Sequence, residues 1–221
     1  VQYRDDRMNI VQASTVGSEL SLMKRVLDTA SKRWGYGIPY NPIKDIQFTR
    51  VSKTRTRRLE NNEKERLLSA AYSQKNIYIA FIIEFAIETG MRRSEILKLG
   101  WTDIDFKNGF AFLYDTKNGE DGRVPLTKRC VRLLQKVPQV HEKVFPITAN
   151  CLRLAWGRAR AKAGIKDLRF HDLRHEAISR FFEMKMSIPE VALISGHKDV
   201  RQLLRYTHLN PNNIFKKYEE F

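Results

Sequence analysis

Acidic residues are scarce in this chain. Its 25 aspartates and glutamates stand against 40 lysines and arginines, which leaves a formal charge of +15. That excess is the electrostatic footprint of a polyanion binder. Cysteine is rarer still: Cys130 and Cys151 permit at most one disulfide, and with no secretory signal legible, free buried thiols are the expectation. No run of about 18 apolar residues occurs, so no membrane span is expected. The longest apolar stretch, "IYIAFIIEFAI" from Ile77 to Ile87, is interrupted by Glu84 and suits a buried core helix. The phosphate-cradling pattern GxxxxGK[ST] is missing, and with it the usual sign of nucleotide hydrolysis. Internal repeats and low-complexity tracts are missing too. Val1 stands where a methionine would begin a complete chain, as expected of a fragment or a processed product.

What remains is a globular composition, 42% hydrophobic and 29% charged over 221 residues, enough for one large domain or two small ones. In "VGSELSLMKRVLDTASKRW", residues 16–34, Leu20, Met23, Val26, Leu27 and Ala30 fall on one helical stripe. "GIPYNPIKDI" breaks that helix with two prolines. The segment "SKTRTRRLE" then packs Lys53, Arg55, Arg57 and Arg58 into six positions and reads as a linker lying on a phosphate backbone. The expected division is 1–50, a helical segment; 51–58, the basic linker; and 59–221, the domain that carries the chemistry.

Within that last part, Asn62 with Glu65 three residues on is a candidate helix cap, and Gly90 a helix stop. Arg92 to Leu99 reads as a short helix. From Trp101 to Leu126 the pattern shifts to short β runs, "DIDF", "FAFLY" and "RVPL", separated by "KNG" and "TKNGEDG". The expected fold is mainly α with a small three-stranded antiparallel sheet, Lys117 lying on or beside its second turn. Helices are expected over residues 128–136, 149–163, 171–185, 187–194, 199–206 and 211–220. Ser187 with Glu190, and Asp199 with Gln202, read as capping boxes.

Five places in this region hold unusual polar residues. They are Arg92 in "TGMRRSE", Lys117 in "DTKNG", His171 and Arg174 in "HDLRH", His197 in "ISGHKD" and Tyr206 in "LRYTHL". Singly each has a bland explanation: an arginine at a helix start and a lysine in a turn are usually solvated, and a tyrosine near a helix end usually packs. In "HDLRH", however, His171, Arg174 and His175 share one helix face. A solvated surface does not need histidine, and a metal does not want an arginine between its ligands.

The order and spacing of the set resemble the tyrosine recombinase (phage integrase) family. Its signature is an arginine in a "TGLRxxE" helix start, a lysine in a β-turn, "HxLRH", "GH", and a tyrosine nine residues after that histidine. The matching pieces here are "TGMRRSE", "TKNG", "HDLRH", "GH" and "RYTH", in the same order, across nearly all of residues 59–221. The resemblance implies strand exchange on double-stranded DNA without metal, ATP or any other cofactor. Tyr206 attacks a phosphodiester to form a 3′-phosphotyrosyl link, and the 5′-hydroxyl of a partner duplex later reseals it. Arg92 and Arg174 would grip the non-bridging oxygens through fork-shaped, charge-assisted hydrogen bonds. His197 would add a donor, His171 would be the general base, and Lys117 would protonate the leaving 5′ oxygen. Glu95, one turn beyond Arg92, would orient an arginine, and His175 and His208 would support the site by hydrogen bonds. Arg93 reads as solvated. Ser195 departs from the pattern, which usually has leucine in "LGH", and reads as a packing change beside His197.

The same resemblance implies a homotetramer on DNA, assembled through the tail "NPNNIFKKYEEF", with accessory DNA-bending proteins as further partners. It also implies a cytoplasmic location in a bacterium, phage or mobile element. Three rival readings stay in view. A metal-dependent nuclease or phosphatase would use His171 and His175, spaced i and i+4, with Asp103 and Asp105; but "HDLRH" lacks the glutamate of HExxH, and two arginines would repel the dication. A DNA-binding regulator would keep the fold without cleaving, though it would gain little from Tyr206. A type IB topoisomerase-like enzyme would share the chemistry without joining partner duplexes.

Overall fold

The computed structural model describes residues 1–48, 55, 57–114 and 121–207, and divides into two compact units, Val1–Arg55 and Thr56–Phe221. In the first, helix α1 (Gln2–Met8) and the long α2 (Ala13–Arg33) are tied by an Arg7–Glu19 ion pair at 2.6 Å. The expected stripe on α2 is only partly covered. Leu20 and Ala30 are buried, as is Val16, whereas Val26 is exposed. A 3-10 turn (Pro42–Asp45) follows the prolines, held by Asn41, whose buried amide donates to Lys24 O and to Asp28 Oδ1 at 2.9 Å each.

The second unit is built around α4 (Tyr78–Thr89), which is buried on almost every side. Around it pack α3 (Glu63–Tyr72), α6 (Lys128–Leu134), α7 (Ala149–Lys162) and α8 (Asp172–Glu183). The side chains of Ile79, Ile82, Ile83, Phe85 and Ile87 are fully enclosed. A carboxylate in such a helix is tolerable only if paired. Glu84 accepts from the Tyr72 hydroxyl at 2.5 Å, and Glu88 lies 3.2 Å from Arg180, so both acids of the helix are satisfied. Beside Glu84, burial pushes the Tyr72 phenol up to about 12. Both cysteines are free, Cys130 buried and Cys151 half-buried.

Gly90 ends α4 in the left-handed region at φ +65°, as its sequence position suggests. The short α5 (Arg93–Lys98) follows, and then the sheet. Strands β1 (Ile104–Asp105), β2 (Phe110–Leu113) and β3 (Gly122–Pro125) pair antiparallel in sequence order, with Ala111 opposite both Ile104 and Val124. The first turn uses Asp105, which accepts from the backbone and side-chain nitrogens of Asn108, and Gly109 at φ +72°. The second turn, with Lys117, lies outside the described residues.

Three local expectations need correcting. Asn62 precedes α3 but adopts a left-handed conformation and makes no capping bond; Glu63 instead receives the N–H of Glu60 at 2.9 Å. The single helix expected over 199–206 is two 3-10 turns, Val200–Gln202 and Leu204–Tyr206, placed after α9 (Ile188–Ser195). Asp199 does cap the first, but by accepting the Arg201 N–H and gripping the Arg201 side chain rather than through Gln202. The tighter 3-10 turn is what such a short segment can form when its cap closes over two residues. The Ser187–Glu190 capping box is present as expected, at 2.6 Å.

Candidate active site

Arg174 is the most constrained member of the set. It lies on the buried face of α8, 4% exposed, and would be a costly buried charge without partners. Nη1 donates to Gly90 O at 2.7 Å and Nη2 to Ser195 O at 2.5 Å, so the ends of α4 and α9 grip one guanidinium from two sides. Helix C-terminal carbonyls carry partial negative charge and suit a cation. Burial, with Arg92 nearby, still pulls its pKa down to about 10. Arg92 stands at the head of α5. Glu95 accepts from its backbone N–H at 2.6 Å and from Nη1 at 2.7 Å, while Nη2 reaches Gly196 O at 3.3 Å. Glu95 therefore holds Arg92 at both its backbone and its side chain.

The two guanidiniums form a shared wall. On one side is a cleft of about 680 Å³ that also holds His197, Lys198 and Arg123; on the other, a cavity of about 530 Å³ that holds His171 and Arg169. His197 follows Gly196, whose φ of +63° turns the chain at the end of α9. Its ring nitrogens lie 3.4 and 3.5 Å from Arg174 Nη2, and burial, Arg174 and Arg92 depress its pKa to about 4. His171 is the N-cap residue of α8 and is likewise depressed, by burial first and then by Arg174.

Tyr206 is buried at 6% exposure. Its ring stacks near His175 (5.8 Å between centroids) and Phe182 (6.4 Å), with the Arg205 guanidinium 5.4 Å from its centre. Burial raises the phenol's pKa, opposed by Arg205 and Arg174. Its hydroxyl is hydrogen-bonded to His175 Nδ1. The imidazole on the phenol is thus that of His175 and not of His171, whose ring meets His175 edge-to-face at 5.2 Å. The i, i+4 pair puts one ring on the cavity of the arginines and the other on the tyrosine.

Two guanidiniums on one wall can grip a tetrahedral anion, while the phenol, bonded to His175, lines neither cavity. Comparison with known proteins points the same way. The phage integrase family profile matches residues 57–213. A shufflon-specific DNA recombinase of Escherichia coli is 42% identical over 95% of this chain. The chain belongs to the phage integrase family. It spans about half the length of the curated relatives it matches, 54% in the case of the shufflon-specific enzyme. In fold it is similar to a lambda integrase dimer solved on a COC′ core site, with a TM-score of 0.78 and 19% identity over 93% of this chain and 77% of that one. A lambda integrase tetramer solved on a Holliday junction gives a TM-score of 0.73 at 20% identity, covering 89% and 62% of the two chains.

Other residues singled out in this integrase-family chain sit elsewhere. Lys117, Lys53 and His208 lie outside the described residues. Arg55, partly buried, closes the first unit. Arg57 and Arg58 belong to the second unit rather than to a separate linker. Arg57 Nη2 grips Glu63 at 2.6 and 2.8 Å, and Arg58 binds Glu176 at 3.1 Å and Glu183 at 2.5 Å. Glu63 and Glu176 are both 8% exposed, and carboxylates so buried need cationic partners. The rival metal-site acids are engaged locally, Asp103 on the Gly100 N–H at 2.8 Å and Asp105 in the β1–β2 turn. Missed from sequence were the carbonyls of Gly90 and Ser195, which no side-chain motif can announce, and Arg205 over the tyrosine ring. The Ser195 hydroxyl was visible only as a departure from leucine.

Proposed function

We propose that this chain cleaves and rejoins DNA strands as a site-specific recombinase, through a 3′-phosphotyrosyl intermediate on Tyr206. The observation that carries the reading is the shared arginine wall, Arg92 and Arg174, with His197 on one side and His171 on the other, His171 meeting the His175 ring that is bonded to Tyr206. Arg92 and Arg174 take the non-bridging oxygens, and His197 adds a third contact. The phenol's proton leaves through the histidine pair, His175 being in contact with it and His171 facing the arginine cavity. The oxygen attacks phosphorus, the 5′ oxygen departs with a proton from Lys117, and the phosphoryl bond energy is kept in the tyrosyl ester. A 5′-hydroxyl from the partner duplex reverses the step. Rate gains of about 10²–10³ for each preorganised donor suffice without a further electrophile.

Site-specific recombination is also what the name of the Escherichia coli relative states. We carry over from the resemblance a homotetramer on DNA through the C-terminal tail and a cytoplasmic location; no described helix is long and apolar enough to cross a membrane. The test is a suicide duplex nicked so that the cleaved end diffuses away. A protein–DNA adduct stable to denaturant, mapped to Tyr206 and to a 3′ phosphate, is expected, undiminished by excess chelator. No adduct on any duplex carrying a site that the protein demonstrably binds would leave the DNA-binding regulator as the better reading. An adduct with supercoil relaxation but no joining of partner duplexes would favour the topoisomerase-like one.

A further inference from the structure

The Ser195 hydroxyl is 2% exposed and makes two short contacts, to Val191 O at 2.5 Å and to His197 Nδ1 at 2.6 Å. A hydroxyl has one hydrogen to give and lone pairs to receive with. Val191 O is a carbonyl and can only accept, so the Ser195 proton is committed there. The contact with Nδ1 is then a hydrogen bond only if Nδ1 carries the proton and Ser195 Oγ receives it. We infer that Ser195 is a positioning residue which locks His197 in its Nδ1–H tautomer, so that His197 can donate to a DNA phosphate from Nε2 only by taking up a proton. This rests on the proposed role of His197 at the phosphate.

The consequence follows from the surroundings of the ring. His197 faces Arg174 from α8, Arg92 from the head of α5, Arg205 from the second 3-10 turn and His171 at the start of α8. Glu95, Asp121, Arg123 and Lys198 line the same cleft. Among these cations the DNA-free ring stays neutral, with a lone pair on Nε2. An arriving phosphate brings negative charge and stabilises the imidazolium. Loading of DNA therefore draws a proton from solvent onto Nε2. Leucine, the residue that the family pattern leads one to expect at this position, offers Nδ1 no oxygen. The neutral ring is then free to hold its proton on Nε2 and to accept from Arg174 Nη2, 3.4 Å from Nδ1.

Two measurements on the full chain test this. In protein labelled with ¹⁵N-histidine, near pH 7 and without DNA, the His197 signals, identified by their loss in His197→Gln, are expected to show a protonated Nδ1 and a bare Nε2. Ser195→Thr retains that pattern, and Ser195→Ala shifts the proton toward Nε2. A parent ring protonated on Nε2 overturns the inference, and that spectrum alone decides should Ser195→Ala not fold. The second measurement is single-turnover cleavage of the suicide duplex across pH. Ionisation of Tyr206 is common to all variants and cancels in a ratio. The rate of Ser195→Ala divided by that of the parent is expected to climb with pH, toward about tenfold per unit, while the Ser195→Thr ratio stays flat. A flat ratio for Ser195→Ala overturns the inference. Failure of the parent to cleave strikes the proposed function instead, and leaves the tautomer measurement standing.

Discussion

At the scale of single residues, burial shifts the ionisation of Arg174, of His171, His175 and His197, and of Tyr206. Arg174 is the strongest case, because it serves two carbonyls and is proposed to serve a phosphate as well. A lysine ammonium lacks the planar fork that spans Gly90 O and Ser195 O while leaving donors for an anion. Arg174→Lys is expected to lower the single-turnover cleavage rate by about 10²-fold or more, while DNA binding, dominated by distributed phosphate contacts, changes far less. A rate within threefold of the parent would remove Arg174 from the chemistry. The histidines give a pH prediction. His175 and His197 are both depressed to about 4 in the folded chain, from an ordinary value near 6.5, because burial and neighbouring cations disfavour their charged forms. The unfolded chain therefore binds more protons between these values, so the contribution is whole above about 6.5 and is lost as pH falls toward 4. Urea midpoints are expected to drop over that window, and to drop less in His175→Gln, which has no proton to gain. An equal slope in both would assign the effect elsewhere. The residues of this site were largely legible in the sequence, since arginine, histidine and tyrosine at fixed spacing leave a pattern. What was not legible is which imidazole touches Tyr206. His171 and His175 share a helix face, and only the turn after α9 decides which of them the tyrosine reaches.

At the scale of elements, the site depends on helix ends. The C-termini of α4 and α9 supply the carbonyls that hold Arg174, and each of these helices stops at a left-handed glycine. At Gly90 the geometry is doubly demanding: φ is +65°, and a Cβ built there would lie 3.2 Å from Ala177 Cβ on α8. Ala177 is helical and fully buried, so little can give. Gly90→Ala is expected to cost about 1–3 kcal/mol from the backbone conformation alone, measured by urea denaturation, and to impair cleavage by shifting Gly90 O away from Arg174. A variant of parental stability and activity would show that α4 and α8 can separate locally without consequence. The stop at Gly90, the β hairpin at Gly109 and the capping box at Ser187 could be read from sequence because turn chemistry is local. The 3-10 turns before Tyr206 could not. Asp199 and Gln202 have capping-box spacing, yet Asp199 spends its carboxylate on Arg201, and a competition between two good partners is decided by the turn that has room to form. The exposed Val26 shows the converse: its helical periodicity was clear, but periodicity does not say what covers a stripe.

At the scale of the molecule, the +15 charge raises the question of which cations would face the proposed DNA and which serve the fold. Sequence density alone put Arg57 and Arg58 on the phosphate backbone, because a run of basic residues looks the same whether its carboxylate partners are near or 118 positions away, as Glu176 is from Arg58. In the structure these two arginines pair with Glu63 and Glu176, both 8% exposed. The two roles make opposite predictions. A phosphate contact removed by mutation lowers the slope of log K against log salt by about 0.9 per contact and leaves stability alone. An internal pair removed by mutation leaves a buried carboxylate short of its partner, at about 1–3 kcal/mol, and leaves the salt slope alone. Arg58→Ala is expected to follow the second pattern, with a lower urea midpoint and an unchanged salt slope for binding to a specific duplex. Glu176→Gln, which removes the charge while keeping the shape, separates the cases further. It should destabilise less than Arg58→Ala, since a neutral amide can stay buried beside Arg58 while an unpaired carboxylate cannot. A slope reduced by about one unit in Arg58→Ala at parental stability would return the residue to the DNA interface, and would mean that the ion pair with Glu176 opens when the duplex arrives.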